Sequence, residues 1–256
     1  MPVTAYILTA LGAYLLGSIP TGFLVAKAKG IDIRSVGSGN IGATNAMRVL
    51  GKPAGIFVLL ADAAKGYAAV VWLTPMLFNQ LCVWLHHHFS AMYDYFQYQP
   101  VEIQTRFFVL AGVCAVLGHN YTCWLKFKGG KGIATTAGVY LALAPCPLLI
   151  ALAVFLLAVI VTRYMSIGSI AGAIALPAAV WISQPHNYFL GIATTALGVL
   201  AIYKHKSNIQ RLMVGTENRL GKKSVGQASS LSQTPNPNEK NGDRQDACPT
   251  KSEDAK

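Results

Sequence analysis

The residues best suited to chemistry begin in a glycine-rich segment, residues 37–48, which reads GSGNIGATNAMR. Glycines let backbone N–H groups approach an anion closely, and the start of a following helix adds positive charge. An arginine guanidinium can also hold a phosphate with two parallel hydrogen bonds. We therefore predict an anion site here rather than a flexible polar connector. Its candidate residues are Ser38, Gly39, Asn40, Thr44, Asn45 and Arg48.

The same segment contains a G-x-G-x-x-G pattern, which is typical of dinucleotide-binding sites. That site needs a βαβ unit of about 30 residues and an acidic residue about 20 positions further on. Here the segment lies between two apolar stretches, and no such unit fits. We therefore exclude a dinucleotide site and keep only the prediction that the segment binds an anion.

A second glycine-rich segment, residues 126–132, reads KFKGGKG and follows a Gly-His-Asn string. It is not a Walker A loop, because a glycine rather than Ser or Thr follows its last lysine. Adjacent glycines and a lysine before a helix still predict a phosphate cradle. Attraction to anionic lipid is the alternative explanation for Lys126 and Lys128. The candidate binding residues are His119, Gly129, Gly130, Lys131 and Gly132.

Two further segments carry less specific patterns. Ser166 and Ser169 stand at the start of an apolar stretch, where either could cap a helix or contact a substrate. His205 and Asn208 are three positions apart and share a face if their segment is helical. That segment also fits a basic amphipathic helix lying on a membrane. The sequence leaves these alternatives open.

Apolar stretches must position these segments. Of 256 residues, 53% are hydrophobic and 12% are charged, about half the usual charged fraction of a soluble domain. Bilayer-spanning helices need roughly 17–25 apolar residues, and the prolines at 145 and 147 divide the longest stretch into two. We predict an all-α polytopic membrane protein with seven transmembrane helices, several of them short. The apolar stretches are residues 3–26, 56–78, 107–118, 133–162, 167–182 and 188–203.

The charge distribution predicts the orientation. A net charge of +11 would favour nucleic-acid binding in a soluble chain. Here the lysines and arginines concentrate in alternate loops, whereas the other loops hold only Arg106. Cytoplasmic loops carry such an excess, so we predict an external N-terminus, a cytoplasmic C-terminus and cytoplasmic candidate segments. We expect no nucleic-acid partner. The basic loops are residues 27–52, 120–132, Arg163 and residues 204–223.

The remaining parts of the chain differ in composition. Residues 1–223 are predicted to form the membrane domain, and the polar residues 224–256 a disordered cytoplasmic tail. The three histidines at 86–88 are interpreted as part of an aromatic interfacial belt in the 78–106 loop rather than a metal site. Asp62 and Lys65 share a helix face within an apolar stretch. They form either a structural ion pair or a catalytic element.

These features together suggest a particular kind of substrate pair. Two anion-binding loops at one face of a helical bundle, next to lipid, indicate two phosphorylated substrates, at least one with an apolar tail. A transporter would place such sites near the bilayer midplane, whereas these loops lie at one face of the bundle, which argues against transport. An acyl-CoA acyltransferase would show His-x-x-x-x-Asp, and a CDP-alcohol phosphotransferase an array of aspartates. The sequence has neither pattern.

The motifs resemble those of the bacterial acylphosphate-dependent glycerol-3-phosphate acyltransferases, the PlsY family. The resemblance covers residues 5–223. Its most specific strings are GSGNIGATN and KFKGGKG, and the others are GSIPTG at 17–22, the rest of residues 30–48, DAAKG at 62–66, GHN at 118–120 and residues 205–217. Where the family commonly has an acid before the asparagine of the last motif, this chain has Ser207.

The resemblance implies seven membrane helices, an active site at the cytoplasmic face of the bacterial inner membrane, and no cofactor or metal. The implied reaction moves a fatty acyl group from acyl phosphate to the sn-1 hydroxyl of glycerol 3-phosphate, the first step of phospholipid synthesis. It also implies that the Gly129–Gly132 loop cradles acyl phosphate. The implied phosphate-holding residues are Ser38, Arg48, Lys131 and Asn208, with His205 beside them.

An acyl phosphate is already activated, so such a site needs mainly positioning and charge neutralisation. We expect a substrate phosphate oxygen to act as the base; His119 is the alternative. The sequence makes no prediction about chain-length preference, oligomeric state, protein partners or the role of the tail.

Overall fold

The computed structural model describes residues 2–77, 80, 83 and 101–221, and every regular element in these ranges is a helix. One unit covers residues 1–220, and of residues 221–256 only Gly221 is described. The predicted tail and the histidines at 86–88 therefore lie outside the described residues. The α-helices are α1 Pro2–Ser18, α2 Thr21–Lys27, α3 Ala43–Leu50, α4 Lys52–Ala68, α5 Val101–Asn120, α6 Ile133–Leu143, α7 Pro145–Thr162, α8 Met165–Ser183, α9 Tyr188–Lys204 and α10 Lys206–Met213.

Five helical segments of the described chain are long and apolar enough to cross a membrane. Two shorter apolar helices, α6 and α9, accompany them. The predicted all-helical membrane architecture is therefore confirmed. The five long segments are Val3–Lys27, Lys52–Leu77, Gln104–Leu125, Pro145–Thr162 and Met165–Ser183.

The predicted break inside the longest apolar stretch is confirmed. Helix α6 ends at Leu143, and α7 begins at Pro145. Ala144 between them has a non-helical backbone (φ −155°, ψ 74°). A proline lacks the N–H that an interior helical position needs but is well tolerated in the first turn. The prolines therefore end one helix and start the next.

The long helices pack in neighbouring pairs: α1 against α5, α4 against α3 and α6, and α8 against α7 and α9. On α7 the large side chains of Leu157, Ile160 and Val161 remain exposed, as expected for a lipid-facing surface.

Helices α4 and α6 approach each other closely through two glycines. A Cβ atom on Gly66 would overlap with the carbonyl oxygen of Thr135, and one on Gly138 with that of Ala63. Small residues at such crossings allow membrane helices to pack backbone against backbone. This contact brings the charged residues of α4 next to the first turn of α6.

Candidate active site

A cavity of about 160 Å³ lies where the glycine-rich loops meet the helix ends. Most of the predicted site residues line it, although they come from five separate parts of the chain. Gly39, Gly129 and Gly130 do not line this cavity but a second one beside it. The predicted residues that line the first cavity are Ser38, Asn40, Thr44, Asn45, Arg48, His119, Lys131, Gly132, Ser166, His205 and Asn208.

Asn45 organises the first loop. Its side chain is 1% exposed, and its Oδ1 accepts a hydrogen bond from the Ser38 backbone N–H at 2.8 Å. Its Nδ2 donates to the carbonyl oxygens of Asn40 and Val36 at 2.9 and 3.1 Å. The loop is therefore held in place by its own buried amide and is not a flexible connector. With its hydrogen bonds used in this way, Asn45 positions the loop instead of offering free donors to a ligand.

Arg48 brings a cationic group from α3 to the cavity. Its half-buried guanidinium makes no hydrogen bond or ion pair with any residue in the described ranges. Burial lowers the pKa of Arg48, and the nearby carboxylate of Glu217 opposes that shift. An arginine remains charged under such a shift, so Arg48 presents an unpaired positive charge to the cavity.

The glycines of the second loop have a different role from the predicted one. The Gly129 and Gly130 N–H groups donate to the carbonyl oxygens of Asn120 and His119, at 3.2 and 3.0 Å. A side chain on Gly129 would overlap with those two backbones, and one on Gly130 would overlap with the His119 imidazole. These N–H groups are occupied by the end of α5 and do not face a ligand. The two glycines let the loop lie directly on that helix end.

The lysines of the second loop differ in solvent exposure. Lys126 and Lys128 are exposed and do not line either cavity, which fits the alternative role at a lipid surface. Lys131 is partly buried and lines both cavities. Gly132 has a left-handed backbone (φ +79°) and is the N-cap of α6. That conformation, which favours glycine, turns the chain so that α6 starts at the cavity.

Three helices begin at this cavity: α3 after Gly42, α6 after Gly132 and α8 after Tyr164. None of the three N-termini has a side-chain capping hydrogen bond. The first N–H groups of a helix have no partner within it and carry part of the positive end of its dipole. Three uncapped N-termini around one cavity therefore create a strongly anion-attracting environment.

Of the two alternatives left open for Ser166 and Ser169, helix capping is wrong. Tyr164 occupies the N-cap position of α8, and the Ser169 hydroxyl donates to the carbonyl oxygen of Met165 at 2.9 Å. Ser166 is 4% exposed and lines the cavity, and its hydroxyl, which lies near the Glu217 carboxylate, makes no well-formed hydrogen bond within the described residues. Its position therefore fits the substrate-contact alternative.

A chain of polar contacts connects the second loop to α10. Lys131 Nζ donates to Asn208 Oδ1. The Asn208 amide nitrogen donates to Glu217 Oε1, and Arg211 Nε donates to Glu217 Oε2, both at 2.7 Å. Burial, together with the charges of Arg211 and Arg48, lowers the pKa of Lys131 to about 8, although Glu217 opposes this shift. The sequence-based set of candidates did not include Arg211 or Glu217, although Glu217 is the only acid between Glu102 and Glu239.

His205 is buried at the N-terminal end of α10 and lines the same cavity as Asn208. Its Nδ1 lies 2.7 Å from the carbonyl oxygen of Ala201. A carbonyl can only accept, so Nδ1 carries the proton and Nε2 has a free lone pair. Burial, and then the charge of Lys131, lowers the pKa of His205 to about 4. His205 is therefore a neutral hydrogen-bond acceptor at neutral pH.

Asp62 and Lys65 form the predicted ion pair, with Lys65 Nζ 2.8 Å from Asp62 Oδ1. Both side chains are buried, and Asp62 lines the cavity together with His119. Lys65 Nζ also lies 3.0 Å from His119 Nδ1. Sequence spacing indicated the pair on α4 but not its third member, which comes from α5.

The two cavities differ in their walls. Leu59, Ile133, Phe155 and Met165 give the first cavity an apolar side. The second cavity, of about 380 Å³, shares Ser38, Asn40, Lys131 and Arg211 with the first, and none of its lining residues in the described chain is acidic.

Two lysines of the second cavity are held against aromatic rings. Lys204 Nζ lies 4.3 Å from the centre of the Tyr121 ring, and Lys206 Nζ lies 4.8 Å from that of Tyr203. All four residues line the cavity. The second cavity is therefore a basic vestibule, by which we mean the space lined by these four residues and the shared loop residues.

Comparison with known proteins adds independent information. The family model described as glycerol-3-phosphate acyltransferase matches residues 7–215. A glycerol-3-phosphate acyltransferase of Trichlorobacter lovleyi is 44% identical over 217 residues, covering 85% of this chain and 98% of that protein. One of Desulforamulus reducens is 45% identical over 219 residues, covering 85% and 96%.

Two solved structures have a similar fold. The crystal structure of PlsY, an integral membrane glycerol 3-phosphate acyltransferase, in its glycerol 3-phosphate form has a TM-score of 0.67 and 35% identity. The match covers 84% of this chain and 96% of that one. The lysophosphatidic acid form has a TM-score of 0.65 and 34% identity, with coverages of 84% and 95%.

Proposed function

The chain belongs to the glycerol-3-phosphate acyltransferase family, and we propose that acyl phosphate is its acyl donor. In this reaction the sn-1 hydroxyl of glycerol 3-phosphate attacks the acyl carbonyl, and the bond from that carbon to the phosphate oxygen breaks. The products are lysophosphatidate and inorganic phosphate. The observation that carries the proposal is one cavity in which uncapped helix N-termini, Arg48 and Lys131 lie next to an apolar wall.

The arrangement suits two phosphate groups and one acyl chain. Arg48 and Lys131 would neutralise the phosphates and hold them together despite their mutual repulsion. The apolar wall formed by Leu59, Phe155 and Met165 would receive the first part of the acyl chain. Because phosphate is already a good leaving group, positioning and charge neutralisation suffice, and no covalent acyl-enzyme is needed.

Each predicted site residue other than His119 can be given a role on this basis. Ser38, Arg48, Lys131, Asn208 and the N-terminal amides of α3, α6 and α8 would hold phosphate oxygens, with the Ser166 hydroxyl as a further donor. His205 would accept a hydrogen bond. Asn40, Thr44 and Gly132 would line the bound substrates. Gly39, Gly129, Gly130 and Asn45 would act indirectly by shaping the two loops.

The proton of the attacking hydroxyl must go to a base. A group with a pKa of about 4, such as His205, is a weak base at neutral pH. We propose instead that a phosphate oxygen of the donor takes the proton as the C–O bond breaks. The proton then leaves with inorganic phosphate, and the protein contributes geometry and charge.

The predicted topology is part of the proposal. We propose that α6 and α9 cross the membrane with the five longer segments, giving seven crossings, an external N-terminus and a cytoplasmic C-terminus. The basic residues around the vestibule support a cytoplasmic active site in the bacterial inner membrane. Reporter fusions after residue 223 would test the orientation. If a reporter that functions only outside the cytoplasm is active when fused there, the proposed orientation is contradicted.

The experiment for the reaction uses purified full-length protein in detergent with glycerol 3-phosphate and palmitoyl phosphate. Inorganic phosphate and extracted lysophosphatidate are both measured, and palmitoyl-CoA is run in parallel. We expect both products in equal amounts from palmitoyl phosphate, and a loss of both in Ser38→Ala and Lys131→Ala. Turnover with palmitoyl-CoA but not with palmitoyl phosphate would overturn the proposed donor.

A further inference from the structure

Three acceptor atoms lie within 3.0 Å of the ammonium nitrogen of the buried lysine of α4. Lys65 Nζ lies 2.8 Å from Asp62 Oδ1, donates to the carbonyl oxygen of Ile19 at 2.8 Å, and lies 3.0 Å from His119 Nδ1. An ammonium group has three donors and no acceptor. The contact between Lys65 and His119 is therefore a hydrogen bond that the imidazole accepts at Nδ1.

Asp62 does not change this assignment. Its Oδ1 is 3.6 Å from His119 Nδ1, beyond the range of an N–H···O hydrogen bond. Because Nδ1 accepts, the proton of the neutral imidazole resides on Nε2. Protonation of Nδ1 would place two positive groups in contact at a buried site, which is strongly unfavourable.

The Nε2 edge of His119 lies against the second glycine-rich loop. The imidazole is so close to Gly130 that a Cβ atom there would overlap with Nε2. His119 lines the first cavity, and Lys131 lines it from the next position along the loop. Within the described residues Nε2 has no hydrogen-bond partner. The N–H of Nε2 is therefore a free donor beside the loop that brings Lys131 to the cavity.

We propose that Lys65, held by Asp62, fixes His119 in the tautomer with the proton on Nε2, so that the imidazole donates to a substrate phosphate oxygen beside Lys131. His119 then acts as a hydrogen-bond donor in the reaction and not as its base. Lys65 is a positioning residue that acts through His119. The identity of the acceptor rests on the proposed function, whereas the tautomer does not.

The second buried histidine of the cavity provides an internal comparison. His205 donates through Nδ1 to Ala201 and keeps a lone pair on Nε2, which is the opposite tautomer. The cavity therefore contains one histidine that offers a donor and another that offers an acceptor. The two tautomers differ in their nitrogen chemical shifts, so they can be distinguished in the same sample.

The tautomer is tested by NMR on full-length protein with ¹⁵N-labelled histidine in detergent at neutral pH. His119→Gln and His205→Gln identify the two sets of signals by subtraction. We expect a protonated Nε2 and an unprotonated Nδ1 for His119, and the reverse for His205. A His119 protonated on Nδ1, or on both nitrogens, would overturn the proposal. This measurement needs only the wild-type fold and is independent of any catalytic activity.

The donor role is tested by titrating the same sample with glycerol 3-phosphate and, separately, with inorganic phosphate. We expect the His119 Nε2 signal to shift on saturation with at least one of them. A Nε2 signal that moves with neither ligand, while binding is detected by calorimetry, would overturn the role as a phosphate donor.

Steady-state kinetics then tests the link between Lys65 and His119. Loss of a hydrogen bond to a charged oxygen lowers kcat/KM about 10- to 100-fold. We expect a decrease of this size for His119→Met. We expect His119→Gln, which keeps an N–H donor, to retain more activity than His119→Met. Lys65→Met should resemble His119→Met, and the double variant should be no worse than either. Independent, multiplicative losses would contradict the positioning role, whereas a wild-type enzyme inactive with every donor would contradict only the proposed function.

Discussion

Lys131 donates a hydrogen bond to Asn208 although the two residues are 77 positions apart. The contact joins the second glycine-rich loop to α10 and lies at the boundary between the first cavity and the basic vestibule, because Lys131 lines both. Asn208 is in turn held by Glu217 at 2.7 Å. In this arrangement a neutral amide oxygen holds the ammonium group without neutralising it, so its charge remains available to a phosphate.

Replacing Asn208 by Asp should therefore impair the enzyme more than replacing it by Ala. The new carboxylate would pair with Lys131 and repel both anionic substrates, and it would also face the carboxylate of Glu217. We expect Asn208→Asp to raise the KM for glycerol 3-phosphate at least tenfold above that of Asn208→Ala. Equal KM values for the two variants would show that the neutrality of Asn208 does not matter.

The charge of Lys131 predicts an alkaline limb in the pH profile. Burial lowers the pKa of Lys131 to about 8, so the free enzyme loses this positive charge as the pH rises through that value. We expect kcat/KM for glycerol 3-phosphate to fall above about pH 8, because kcat/KM reports on the free enzyme. Lys131→Arg should move this limb to higher pH. If the alkaline limb stays at the same pH in Lys131→Arg, it arises from the titration of another group.

Glu217 is predicted to contribute to stability. Burial raises the pKa of Glu217, but hydrogen bonds from Asn208 and Arg211 outweigh this and lower it overall. Loss of the charge-assisted bonds in Glu217→Gln should reduce the free energy of unfolding by about 1–2 kcal/mol. Thermal unfolding in detergent measures this.

The sign of the pH dependence of this effect follows from the lowered pKa. The stabilisation is fully present above the ordinary carboxyl pKa of 4.5 and is lost as the pH falls through the lower folded value. The difference in free energy of unfolding between wild type and Glu217→Gln should therefore become smaller only at acidic pH. A difference that grows in acid would contradict the assignment.

Gly130 and Gly129 form a matched pair for testing how the loop packs on α5. A methyl group at 130 would overlap with the His119 side chain, whereas one at 129 would overlap with backbone atoms of His119 and Asn120. Overpacking costs about 1–3 kcal/mol, so both Ala variants should lose activity.

The two glycine variants should then differ in their rescue. In a His119→Ala background the imidazole is absent, so adding Gly130→Ala should cause little further loss of activity or thermal stability. The same background should not rescue Gly129→Ala. Rescue of both variants, or of neither, by kinetic assay and thermal stability would contradict this packing.

The vestibule predicts salt-dependent substrate capture. Lys206 is exposed, lines the vestibule and packs on Tyr203. We expect Lys206→Gln to raise the KM for glycerol 3-phosphate a few-fold at low ionic strength, with the difference disappearing at high salt because exposed charges are screened. Lys128→Gln, on an exposed residue outside both cavities, is the control and should leave KM unchanged.

Much of the fold could be predicted because a membrane limits the choices. A chain in lipid must satisfy its backbone hydrogen bonds internally, so apolar stretches of sufficient length become helices. The prolines at 145 and 147 located the break between α6 and α7. The pairing of Asp62 with Lys65 followed from their spacing within one helix. Both glycine-rich loops that the composition singled out contribute residues to one cavity.

The detailed roles within the site depended on the tertiary structure. Glycines in an anion-binding pattern suggested that Gly129 and Gly130 offer their N–H groups to a ligand, but the carbonyl oxygens at the end of α5 accept them. Asn45 similarly uses its side-chain amide for hydrogen bonds within its own loop. A sequence shows which groups can donate, but only the folded chain shows which donors already have partners.

The sequence by itself determined the helical membrane class, the candidate loops and the contacts between residues a few positions apart, because these depend on local composition and helical spacing. The tertiary structure alone decided that Lys65 meets His119, 54 positions away, and that the uncapped starts of α3, α6 and α8 surround one cavity. Such contacts arise from the packing of helices against one another. Packing is set by the shape of whole surfaces, which includes close crossings such as Gly66 against Thr135, and spacing along the chain does not encode it.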